Sequence, residues 1–128
     1  MPFAYTVVYV DNVEASLSFF ERAFGLTRGF VSPGAEFGQL DTGTTALAFC
    51  DHATARESLG GDYRRAADGA PLGMEVAFTT DDVAAAVDRA VQAGATLLKP
   101  ATRMPWGQTV AYVRAPDGTL VELCTPMG

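Results

Sequence analysis

The stretch YTVVYVDNVEASL, residues 5–17, lies over EVAFTTDDVAAAV, residues 75–87, at a constant offset of 70. A chain that repeats a unit at this length folds in the same way twice, and each copy buries apolar surface that a single copy leaves open. Each copy opens on a short, mostly apolar run suited to a strand. An acidic or Asn pair follows, Asp11-Asn12 or Asp81-Asp82, whose side chains can cap a helix. Val13, Leu17, Phe20 and Phe24 then recur at helical spacing in the first copy, and Val83, Val87, Ala90 and Val91 do so in the second. Both helices close near a glycine, Gly25 or Gly94.

The ends of the copies match as well, with ALAFC (46–50) over LVELC (120–124) at an offset of 74. Between helix and final strand each copy has room for two more strands, punctuated by Gly and Pro. These fall at about 27–32 and 36–42, then at about 96–99 and 108–114. The pattern predicts two βαβββ units in one α+β domain over 1–128, forming paired curved mixed sheets around a cleft. Unit one covers about 3–52, a connection about 53–72, and unit two about 73–126. The connection is polar and reads as mobile, with a short helix near 54–58. The helix covers one face of each sheet, and the other face needs a partner, so the cleft between units is where a small molecule is expected.

Charge narrows the partners. Nine Lys/Arg against 15 Asp/Glu leave a net charge of −6, and no basic cluster is present, which argues against nucleic acid and anionic membrane surfaces. No apolar run approaches a bilayer-spanning length, and the first residues lack the form of a secretory signal, so a cytoplasmic protein is expected. Cys50 and Cys124 form no disulfide framework or CxxC and read as small core residues.

Glu122 is the residue that needs explaining. It sits inside the apolar strand of PDGTLVELCTP (116–126), where a lone buried carboxylate is costly. Strand alternation puts Tyr5, Val7 and Tyr9 on one face and Thr6, Val8 and Val10 on the other. The repeat pairs Tyr5 with Glu75 and Ala48 with Glu122, so Glu122 is expected to face the cleft. Two carboxylates brought together there would raise at least one pKa, and such a pair could act as a general base.

The paired units, together with YVDNVEASLSFFERAFGL near the start and WGQTVAYVRAPDGTLVELCTP at the end, resemble the vicinal oxygen chelate superfamily. That group includes glyoxalase I, extradiol dioxygenases, and fosfomycin- and bleomycin-resistance proteins. The resemblance covers nearly the whole chain, and the fold hosts many activities. In its metal-dependent members one ligand stands on the first and one on the last strand of each unit. Carried over, these places are Tyr5, Ala48, Glu75 and Glu122. Ala48 has no donor and a neutral phenol at Tyr5 is a poor one, so the metal site reads as degenerate. Two carboxylates could hold a divalent Mg²⁺ or Mn²⁺ only weakly, where a catalytic site generally uses about three protein ligands.

Other residues carry two readings each. Trp106, in RMPWGQ, is a surface-packed loop aromatic or a stacking platform for a flat ligand. Arg103 is a solvated cation or an anion partner. His52, the only histidine, reads as a surface residue at a loop start. For it to replace the donor missing at 48, a bulge would have to recover about 13 Å of strand. Tyr63 could fold over the cleft mouth, Phe49 is expected under the helix, and Asp117-Gly118 is a turn. The expected ligand-binding set is Tyr5, Ala48, Glu75, Arg103, Trp106 and Glu122, with Glu75 and Glu122 as candidate catalytic groups. The leading expectation is a metal-independent homodimer that binds an aromatic or cationic small molecule, of the drug-binding, resistance type. The alternative is a lyase, isomerase or dioxygenase-like enzyme that uses an unusual metal site or the Glu75/Glu122 pair.

Overall fold

The computed structural model describes residues 1–127. Unit one consists of β1 (Tyr5–Val10), α1 (Val13–Phe24), β2 (Thr27–Val31), β3 (Phe37–Asp41) and β4 (Ala46–Asp51). The helix α2 (His52–Leu59) follows. Unit two consists of β5 (Val76–Thr79), α3 (Val83–Ala93), β6 (Thr96–Arg103), β7 (Thr109–Arg114) and β8 (Leu120–Cys124). Each unit forms its own four-stranded mixed sheet, in the orders β1-β4-β3-β2 and β5-β8-β7-β6. The first and last strands of each unit pair in parallel and the remaining pairs are antiparallel.

Local chemistry explains where the helices start and stop. Asn12 and Asp82 cap α1 and α3 by accepting from the N–H of Ala15 and Ala85 at 2.9 and 3.0 Å. Gly25 closes α1 in the left-handed region at φ 70°, where a Cβ would be strained. Asp51 caps α2 by accepting from Thr54 N–H, which lets that helix begin at His52, earlier than the pattern predicts. β6 is also longer than expected and runs on to Arg103.

The core lies where α1 and α3 cover the two sheets and pack on each other. Phe20 is fully buried and its ring meets those of Phe19, Phe24, Phe49 and Phe78, so unit two contributes to the packing of a unit-one helix. Phe49 lies under α1, as parity predicts. Val91, expected on the buried stripe of α3, is 42% exposed; Val83, Val87 and Ala90 form that stripe. Polar contacts register the two units. Ser16 Oγ donates to Asp117 Oδ2 at 2.7 Å, and Arg89 Nε donates to Arg22 O at 2.8 Å. Asp117 therefore does more than turn the chain, because it ties the β7–β8 turn to α1.

The connection is not loose. Arg114 donates to Gly69 O and Ala66 O, each at 2.8 Å, and to Gly118 O at 3.2 Å. Arg65 pairs with Asp11 at 3.2 Å. Backbone polar groups without regular secondary structure need such partners to be held in place. The path of residues 63–74 is set in this way, and it forms one side of the cavity described next.

Candidate functional site

A cavity of about 250 Å³ opens where β1 and the start of β5 approach under the connection. Val7 and Tyr9 of β1 form one wall. Glu75, Val76 and Leu120 line the cavity from unit two, and Tyr63, Arg64, Leu72 and Met74 from the segment between the units. Its lining is largely apolar, with Tyr9, Tyr63, Thr6, Thr119, Arg64 and Glu75 as the residues that carry polar side-chain groups. Its volume is close to the lower end of small-molecule sites, about 300 Å³.

Glu75 immediately precedes β5, and Glu122 stands in β8 in register with Ala77 and Tyr112. The two glutamate side chains lie close enough to interact, and a hydrogen bond between them would need a proton on one. The carboxyl of Glu75 is pushed up to about 7, first by desolvation and then by the hydrogen bond and charge of Glu122. Tyr112 donates its hydroxyl to Glu122 Oε1 at 3.1 Å, and burial beside that carboxylate raises the phenol above its ordinary range. Burial and Glu122 also raise the Cys124 thiol, so this cysteine is not a ready nucleophile. Near neutral pH the glutamate pair both donates and accepts. It can meet a hydroxyl, release its proton to meet a cation, or take a proton from an acidic position.

The proton gives a direct test. The folded-state pKa of Glu75 is higher than that of a free glutamate, so the stability tied to this carboxyl is intact at acid pH and is lost as pH rises through about 7. Glu75→Gln is expected to flatten that fall. Glu75 is exposed to water, so the difference at pH 8.5 is expected to be about 1 kcal/mol or less. Urea unfolding of both proteins from pH 5 to 8.5 measures it, and parallel profiles would show that the two carboxyls do not share a proton.

The structure brings Glu75 and Glu122 together and separates the other expected residues from them. Tyr5 is 52% exposed at the start of β1, with its ring 6.4 Å from that of Phe37. Ala48 is wholly buried in β4, flanked in register by Val7 and Gln39. Neither lines the cavity. Arg103 is exposed at the end of β6. Trp106 is 63% exposed in the β6–β7 hairpin; its Nε1 donates to Gln108 Oε1 at 2.8 Å, and it borders a separate depression with Gly107, Gln108, Pro126 and Met127. The hairpin lies at the opposite end of β7 from Arg114, which places it beyond the cavity. His52 is corrected outright: it is 8% exposed, not a surface residue, because it opens α2 against β4 and β1.

Sequence reasoning missed Arg64 and Tyr9 as wall residues and Arg114 as the residue that pins the connection. The repeat could have found Tyr9, which shares the face of Tyr5. Nothing local marks Arg64 or Arg114, because their surroundings come from segments far away in the chain.

A divalent metal does not fit the donors present. Among the described residues no three of His, Cys, Asp and Glu gather as a metal site requires. Ala48 presents a methyl group, and Glu75 and Glu122 supply only two carboxyl donors.

A family model described as the Glyoxalase/Bleomycin resistance protein/Dioxygenase superfamily matches residues 3–123, and the chain belongs to that superfamily. Solved structures repeat the fold. A glyoxalase-related enzyme from Fulvimarina pelagi superposes with a TM-score of 0.85 at 26% identity, over 98% of this chain and 88% of the other. A glyoxalase/bleomycin resistance protein/dioxygenase family enzyme from Burkholderia phytofirmans PsJN gives 0.80 at 23% identity, over 95% and 96%. TioX from Micromonospora sp. ML1 gives 0.72 at 21%, over 98% of each chain. A search of the curated proteins finds no significant match. No helix among the described residues is long and apolar enough to cross a membrane.

Proposed function

We propose that this chain is a metal-independent small-molecule-binding protein of the glyoxalase/bleomycin-resistance type. It takes an aromatic or cationic ligand in the cavity between its units and works as a cytoplasmic homodimer. The observation that carries this reading is a cavity with a tyrosine wall whose only carboxyl, Glu75, is raised by desolvation and by neighbouring Glu122 and has no third metal donor beside it. The tyrosine faces suit an aromatic ring, and the pair suits a cationic or hydroxylated group. A second reading rests on the same carboxyl. A carboxyl poised near neutral pH is suited to acid–base catalysis, and Glu75 would then act on an acidic ligand proton with Glu122 as its partner.

The test begins with protein purified without chelator and titrated with Mg²⁺, Mn²⁺, Zn²⁺, Ni²⁺ and Fe²⁺ in a calorimeter. The expected result is no stoichiometric metal and only weak heats. Near-stoichiometric metal that is lost on Glu122→Gln would overturn the leading reading. A panel of aromatic amines and amidines, screened by thermal shift, then places the ligand. For a cationic hit on the parent protein, Glu75→Gln is expected to weaken binding about tenfold or more, as for a charge-assisted contact of about 1.5–3 kcal/mol, and Glu122→Gln, at a position that does not line the cavity, is expected to weaken it less. A loss confined to Trp106→Phe would move the ligand to the hairpin.

A further inference from the structure

One buried titratable group has no part in the site above. His52 is the chain's single histidine and opens α2. Its Nδ1 meets the hydroxyl of Tyr63, and its Nε2 faces Asp11 Oδ1 at 3.5 Å. Asp11 is a carboxylate, so the proton of the neutral imidazole belongs on Nε2. That leaves Nδ1 as an acceptor for the Tyr63 O–H. The Tyr63 ring packs on Tyr9 with centroids 4.8 Å apart, and the Arg56 guanidinium lies 5.2 Å over it. Tyr9 and Tyr63 are both cavity walls. A residue of the connection is thus held in the wall by one hydrogen bond donated to a buried ring on a different element.

We infer that His52 is the positioning residue of the cavity's aromatic wall: the neutral imidazole holds Tyr63 on Tyr9, and protonation releases it. This inference rests on the cavity proposed above as the ligand site, and it names Tyr63 as the aromatic contact of that site. Protonation turns Nδ1 from acceptor to donor, so the Tyr63 hydroxyl must turn to accept from it and its own proton loses its partner. It also places a third cation among Arg56 of the same helix and Arg65 of the connection. Asp11, on the β1–α1 loop, opposes that charge, as does Asp68 of the connection, whereas Asp62 is engaged by Arg56 at 3.2 Å. Asp117, on the β7–β8 turn, shares a depression with His52 but is occupied by Ser16 and Thr119. Burial and Arg65 outweigh Asp11 and lower the imidazole below its ordinary 6.5. The linkage sign follows from a depressed base: the held state is complete above 6.5 and is lost as pH falls through the folded value.

With only one histidine, the experiment needs no assignment of overlapping rings. Imidazole resonances give the His52 titration and tautomer, and amide exchange of residues 61–66, corrected for intrinsic rates, gives the opening of the wall. At pH 7.5 the Nε2–H tautomer and protected amides are expected. Below the His52 midpoint, opening of this segment is expected to rise about fivefold, and no rise would show that Nδ1–H donates back to the Tyr63 oxygen and holds the wall, which would overturn the release. Tyr63→Phe keeps the ring but should be open at both pH values. His52→Gln keeps a neutral acceptor and should be closed at both. A wild-type pH step that persists in Tyr63→Phe, or an Nδ1–H tautomer at pH 7.5, would overturn the inference. Anilinonaphthalene sulfonate, an aromatic probe, adds the ligand arm: its binding should weaken with the same midpoint in the wild type and with none in His52→Gln. An intact exchange step with no probe binding, or with binding indifferent to Tyr63→Ala, would reject Tyr63 as the ligand contact and the cavity as the site. It would still establish His52 as the residue that holds the connection.

Discussion

Phe20→Ala is expected to destabilise the protein by about 3–5 kcal/mol and to lower its melting temperature by about 15 °C. Phe20 is fully buried, and its ring lies 5.1–6.4 Å from those of Phe19, Phe24, Phe49 and Phe78. Truncation removes the transfer energy of an aromatic side chain and leaves a cavity walled by other rings, which cannot all collapse onto the space. Phe49 belongs to β4 and Phe78 to β5, so the cavity opens at the seam between the units. The loss is a large share of a typical domain stability of about 5–15 kcal/mol. Urea unfolding followed by circular dichroism would measure it. A cost below about 1 kcal/mol would mean that the ring cluster does not hold the units together.

Gly118→Ala is expected to cost about 2–4 kcal/mol and to displace the connection that walls the cavity. Gly118 has φ +97°, outside the range that side chains favour, and an added Cβ would lie 2.3 Å from the Ala66 carbonyl oxygen. That oxygen also accepts from Arg114 and is part of the backbone, so no flexible side chain can yield the space. Gly107→Ala is the matched comparison. It has a similar φ of +103° but open space around the new methyl, so it carries the conformational strain alone, about 1 kcal/mol. Thermal unfolding gives both costs, and trypsin cleavage after Arg64 or Arg65 reports displacement of the connection. Equal costs and equal cleavage would show that the close approach of Gly118 to Ala66 does not hold that segment.

These two positions bear on the proposed ligand site because the cavity belongs to neither unit. Its walls come from β1, from the start of β5 and β8, and from the connection. Anything that shifts the units or the connection changes its shape, even though the glutamate pair lies wholly within unit two.

The constraints on this chain divide by the distance over which they act. The repeat and strand parity, read from residues alone, determine the element order, the capping residues Asn12 and Asp82 and the burial of Phe49, and the resemblance to a known family adds the meeting of Glu75 with Glu122. The first three follow from periodicities of 2 and 3.6 residues and from the offsets of 70 and 74, which strand and helix geometry impose locally. Glu122 interrupts an apolar strand because it faces Glu75 and Tyr112 rather than the helix-covered core. Those same rules say nothing of where a connection runs. They left His52 on the surface, the connection loose and Trp106 near the ligand. The structure buries His52 against Tyr63, pins the connection through Arg114 and Gly118, and carries Trp106 to the far end of its strand. Arg114 reaches carbonyls 45 and 48 residues away, and any residue has a carbonyl, so no composition or spacing marks the acceptor. The residue types and their faces were legible in the chain, and only the tertiary structure decided which of them share a cavity.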